Sequence, residues 1–279
     1  MLRLLLLSSV LLISQVLLIH ADARVDHRKD YSVIEFRRYT IKDGERERFG
    51  KYFENYFPEA FQQLGAIAFG QFLERNNNST FTWLRGFKNY DDRATINSAF
   101  YTGEVWKEHN ITMNKRIDDI QNVLLLRPLT PERGILVLPT VDPVTETNGA
   151  QGIVIAQIFA AKQENLDNFI KQAETTFAKY RDAGIREAGV LITLDVKNNF
   201  PALPFRTDGP FLVWLGIVKD NGMLEQVNPI LKDAVQKLSA TGMLRNTPEL
   251  IIMVPTSRSR LRWIPEQEDE KDRNDSKTR

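Results

Sequence analysis

The chain has 279 residues, 42% apolar and 26% charged, with 37 basic and 36 acidic side chains and a formal charge of +1. This composition suits globular domains with a real core, and the near-neutral balance gives no reason to expect nucleic acid or an anionic membrane surface as partner. Cysteine is absent, which excludes disulfides, thiol catalysis and Cys-ligated metals, so the core alone must hold the fold.

The N-terminus reads as a secretory signal. Arg3 supplies the positive start, Leu4 to Ile19 is largely apolar, and Ala21-Asp22-Ala23 offers a small-x-small cleavage pattern. The apolar stretch is short for a bilayer span. The expectation is therefore an exported chain that begins near Arg24 and has no stable membrane insertion after cleavage.

A first strand follows over 31–41 (YSVIEFRRYTI), rich in β-branched and aromatic residues. After the Asp43-Gly44 break, Phe49, Phe53, Tyr56, Phe57, Ala60, Phe61 and Leu64 recur at helical spacing, with Pro58 placed to kink or restart the helix and Gly65 to end it. Strands are expected from Ala66 to Glu74 and from Thr80 to Phe87, joined by a polar turn over 76–79. Asp91 or Asp92 can cap a second helix carrying Ile96, Phe100 and Tyr101, and a fourth strand runs over 123–126. A Pro-rich linker occupies 128–150, and its apolar piece Ile135 to Leu138 is a candidate edge strand.

The same order then recurs. Strands are expected over 153–160, 188–196, 211–218 and 250–254. Helices are marked by Leu166, Phe169, Ile170, Ala173, Phe177 and Tyr180, closed by Gly184, and by 223–238. Trp83-Leu84 and Trp214-Leu215 occupy matching third strands. The insertion Lys197 to Pro210, with three prolines, is the kind of long loop that carries function, or else a rigid hairpin. Two domains are thus expected, 31–127 and 151–255, each β-α-β-β-α-β and ferredoxin-like. Each would cover the other's bare sheet face and close an α+β barrel-like core. Residues 266–279 contain no apolar side chain and read as a disordered charged tail.

Several stretches resemble NIPSNAP domains: E-F-R-R-Y-T-I-K-D-G from Glu35 to Gly44, FTWLRGFKNYDDR from Phe81 to Arg93, and the run from Phe100 to Pro128. NNFPALPFR, from Asn198 to Arg206, resembles a loop of two-copy bacterial members. The resemblance implies a dimeric α/β-barrel fold, here formed within one chain from tandem repeats. It implies a kinship in shape with cofactor-free monooxygenases and haem-degrading enzymes, but no established reaction. The second half lacks the Glu, Arg and Tyr of the opening motif, so any site should draw its polar groups from the first half.

Alternation puts Glu35, Arg37 and Tyr39 on one face of their strand, and Trp83 and Arg85 on one face of theirs. If the faces coincide, an Arg–Glu pair beside Tyr and Trp would line the inter-sheet cavity and could hold a carboxylate or enolate; the alternative is a structural ion pair. His109, three residues after Trp106, is the candidate general base, or else a surface or capping residue. Tyr101, Trp106 and Trp214 complete the expected ligand-binding set. With one His in the folded part and no Cys, no metal site is expected, no cofactor is called for, and a haem on His109 is disfavoured. The leading expectation is an exported binder of a small, partly apolar molecule held between the halves. The alternatives are a cofactor-independent monooxygenase or isomerase of a phenolic or enolisable substrate, and a protein-interaction module. Homo-oligomerisation stays open.

Overall fold

The computed structural model describes residues 27–265. The expected signal and charged tail lie outside the described residues. The first half runs β1 (Val33–Ile41), α1 (Arg46–Tyr56), α2 (Pro58–Gln63), β2 (Ile67–Glu74), β3 (Thr80–Phe87), α3 (Tyr90–Thr102), α4 (Glu104–Asn114) and β4 (Ile117–Pro128). The second runs β5 (Ile153–Ala160), α5 (Leu166–Asp182), β6 (Arg186–Thr193), β7 (Phe211–Val218), α6 (Asn221–Ser239) and β8 (Glu249–Pro255).

Local chemistry sets the boundaries. Pro58 lacks the N–H that would continue α1, so the helix stops at Tyr56 and restarts with Pro58 in its first turn. Gly65 and Gly184 take positive φ just beyond α2 and α5, where a side chain would be strained. The cap of α3 is neither Asp91 nor Asp92. Asn89 is extended and accepts from the Asp92 N–H at 2.8 Å, which leaves the two aspartates in the first turn, where the helix dipole favours them.

The eight strands close into one antiparallel barrel in the order β1-β3-β2-β8-β5-β7-β6-β4. Two short seams join the halves: Phe72↔Pro255 to Glu74↔Met253 between β2 and β8, and Leu126↔Thr193 to Pro128↔Leu191 between β4 and β6. A closed barrel has no free edge. Ile135 to Leu138 therefore forms no ninth strand; Ile135 is buried and the Leu136 N–H donates to the Ala188 carbonyl at 2.8 Å.

The barrel interior is apolar and filled. Ile34, Phe36, Leu84, Leu124, Val154, Val213 and Met253 belong to one buried cluster drawn from both halves. By the two-residue period of a strand, Glu35, Arg37, Tyr39, Trp83 and Arg85 point the other way, toward the helices of their own half. This corrects the expected inter-sheet lining. Sequence alternation separates the two faces of β1, but both carry apolar residues, so it could not say which face turns inward.

Candidate functional site

Residues of β1 and β3 meet in direct register: Glu35 opposite Arg85, Arg37 opposite Trp83 and Tyr39 opposite Phe81. The two predicted faces therefore do coincide. Over them lie the aromatic sides of α1, α2, α3 and α4, and between sheet and helices is a cavity of about 260 Å³. Tyr39, Trp83, Tyr101 and Trp106 line it, together with Phe53, Phe57, Phe61 and Phe100. Phe61 stacks on Trp83 with centroids 5.6 Å apart, and on Phe100 at 4.1 Å. Among the described residues the second half enters only through its insertion: Phe200, Ala202 and Leu203 line the cavity, and the Phe200 ring stacks on Tyr101 at 5.9 Å.

Beside this cavity sits a buried ionic cluster. Glu35 Oε2 accepts from Arg37 Nη1 at 2.9 Å and from Arg85 Nε and Nη2 at 3.1 and 2.5 Å. Its Oε1 accepts from Arg93 Nε at 2.7 Å. All four side chains are fully buried. Burial alone would push the Glu35 carboxyl up, but the attraction of Arg85, Arg37 and Arg93 outweighs it and holds the group well below the usual carboxylate range. The Arg37 and Arg85 guanidiniums lie 5.6 and 5.0 Å from the Trp83 ring centroid, directly behind the cavity wall.

Arg93 was outside the sequence-based set. It comes from α3 and ties the cluster to the second half, donating through Nη1 to Asn198 Oδ1 at 3.0 Å and Asn199 Oδ1 at 2.7 Å. Its place at the end of the FTWLRGFKNYDDR stretch was the one available signal. Tyr39 Oη accepts from Arg37 Nε at 2.8 Å. The Tyr101 phenol is pushed up to about 12, first by burial and then by Tyr39, so it keeps its proton at neutral pH.

Two expected residues lie elsewhere. His109 on α4 turns to α1: its Nδ1 is 2.7 Å from Tyr52 Oη, and its ring stacks on Tyr56 at 4.0 Å. It does not line the cavity; on α4 the lining residues are Trp106, Met113 and Asn114. Trp214 is buried under the second half's helices, packed on Tyr180 at 4.7 Å and Phe177 at 5.9 Å, with Nε1 donating to Glu187 at 3.2 Å. The corresponding β5–β7 register explains the difference. Gln157 pairs with Trp214 where Arg37 pairs with Trp83, and Ile155 pairs with Gly216 where Glu35 pairs with Arg85. The charged set is missing there, and Phe159, Phe169, Phe177 and Tyr180 pack the space with Trp214 into a second apolar core.

Among the described residues no helix is long and apolar enough to cross a membrane, and no group of three metal-ligating side chains comes together. The structure is similar to a candidate monooxygenase from Lactobacillus acidophilus, with 13% identity, TM-score 0.52, and coverage of 85% of this chain and 100% of that one. It is also similar to an anthrone oxidase-like protein, with 11% identity, TM-score 0.53, and coverage of 86% and 98%. A candidate monooxygenase from Fusobacterium nucleatum matches at 11% identity, TM-score 0.51, and coverage of 85% and 98%. At such identities the likeness is one of fold: a mixed α/β barrel. No curated protein matches the chain in sequence. The NIPSNAP family model matches residues 34–130, a span that holds β1 from its second residue, all of β2 to β4, and Glu35, Arg37, Arg85 and Arg93. Residues 34–130 of this chain therefore match a NIPSNAP domain.

Proposed function

We propose that the protein binds a small, largely aromatic molecule in the first half's cavity, under the helices. The observation that carries this reading is the cavity itself: ring-walled, about 260 Å³, and flanked by a buried ionic cluster. Pockets of this make, mostly aromatic with a few convergent polar groups, are the usual form of small-molecule sites. The halves are, in this reading, tandem ferredoxin-like repeats over 31–127 and 151–255 joined by 128–150. The second has kept the barrel and lost the site, and it lends the loop around Phe200 to the first. Residues 1–23 serve as a cleaved export signal, so the intact mass of the secreted protein should place its first residue near Arg24; a retained leader would contradict this.

A thermal-shift screen over aromatic acids, quinols and haem tests the binding reading. A ligand at about 100 times its Kd should stabilise the native chain by about 2.7 kcal/mol. Replacing Phe200→Ala removes one wall and should weaken the same ligand about tenfold. No stabilisation by any compound would contradict the reading.

A second reading, oxidation of a phenolic or enolisable ligand by dioxygen without a cofactor, is supported by the fold shared with the candidate monooxygenases and the anthrone oxidase-like protein. In it the polar groups at the ligand are Tyr39 and Tyr101, with Arg37 behind Tyr39. Oxygen uptake with such substrates should then survive His109→Ala and fall with Tyr39→Phe. Uptake that follows His109 instead would overturn this assignment.

A further inference from the structure

The ionic cluster holds more positive charge than it can neutralise. Three guanidiniums share the Glu35 carboxylate, and among the described residues no second carboxylate pairs with Arg37, Arg85 or Arg93. Glu35 already spends both oxygens on them. Four buried donors around it have no hydrogen-bond partner among the described residues: Arg37 Nη2, Arg85 Nη1, Arg93 Nη2 and Trp83 Nε1. Burying an unbalanced ion is costly, and so is each buried donor left without an acceptor. The barrel does not require this arrangement. At the same register of the second half stand Ile155, Gln157 and Gly216, and among the described residues the ion pairs beside Trp214, Glu187 with Arg133 and Arg181, reach the surface instead of being fully buried.

We infer that the molecule bound in the first half's cavity carries a carboxylate, an aromatic monoacid rather than a neutral ring, whose charge balances Arg37, Arg85 and Arg93. This rests on the cavity being the binding site. Tyr39 supplies the direct contact. Its oxygen already accepts from Arg37 Nε, and it lines the cavity, so its own proton remains to be donated. Tyr101, also in the wall and protonated at neutral pH, is a second donor. A planar two-oxygen anion suits both a pair of phenol donors and the guanidinium forks behind them.

The test is a titration of the full chain, by calorimetry, with two probes of one shape: 2-naphthoate and 2-naphthamide, and in parallel benzoate and benzamide. The acid of each pair should bind at least tenfold more tightly than its amide. Arg37→Gln should weaken the acid by tenfold or more and move the amide less than twofold. Equal binding of acid and amide, or tighter binding of the amide, would overturn the inference and leave the cavity reading standing. Binding of none of the four would remove both. The native-chain comparison decides the matter even if the variant does not fold.

Discussion

Replacing Glu35→Gln is expected to destabilise the protein by about 3–5 kcal/mol, the cost of removing one partner from a buried ion pair. Glu35 is fully buried and is the acceptor common to Arg37, Arg85 and Arg93, so the neutral amide leaves three buried cations facing one another. The effect has a definite pH signature. The folded carboxyl lies below its ordinary value near 4.5. A lowered folded value means that stabilisation is complete above the ordinary carboxylate range and fades as pH falls from there toward the lowered value. Native and variant should therefore differ most at pH 7 and converge as the solution is acidified below about 4.5. Urea unfolding at pH 7 and pH 3 checks this; a constant difference between the two pH values would show that Glu35 acts by packing rather than by charge.

The second large effect separates the two halves. Trp214→Ala should cost about 3–5 kcal/mol, the range for removing a buried tryptophan or phenylalanine from a core. Trp214 is fully buried among Phe177, Tyr180 and Gln157, in a half whose helices sit directly on the sheet. Trp83→Ala should cost a similar amount, since Trp83 packs against Phe53 at 4.8 Å and Phe61 at 5.6 Å. The two should part in binding. Loss of Trp83 removes a cavity wall and the ring over which Arg37 and Arg85 lie, so affinity should fall at least tenfold. Loss of Trp214 should leave affinity within twofold wherever the variant is folded. Equal losses at both positions, measured by denaturant unfolding and ligand titration, would mean that the halves are not functionally distinct.

Much of the architecture could be read from periodicity. Alternation puts Glu35, Arg37 and Tyr39 on one face of β1 and Trp83 and Arg85 on one face of β3, and the direct register is what makes the two faces coincide. Helical spacing in 49–64 gave the aromatic cover, and Pro58 gave its break. What periodicity could not supply was the direction of each face. Ile34 and Phe36 alternate with Glu35 and Arg37, and only closure of the barrel decides that the first pair turns inward. His109 failed for a related reason. The three-residue spacing implies a face shared with Trp106, but Trp106 turns to the cavity while His109 turns to Tyr52 and Tyr56. Trp214 was placed in the site by its likeness to Trp83. Its surroundings, Gln157 and Tyr180 in place of an arginine and an open space, are a matter of long-range packing. Arg93 was missed because nothing local to α3 shows that its side chain crosses to β1 and to the Asn198–Asn199 turn.

A crystal structure of the full chain grown with 2-naphthoate tests the central claim most directly. The ring should lie between β3 and the helices α1 to α4, against Trp83 and Phe200, with its carboxylate toward Tyr39 and Tyr101. A ring found inside the barrel, among Phe36, Leu84 and Val213, or on the second half beside Trp214, would contradict the claim.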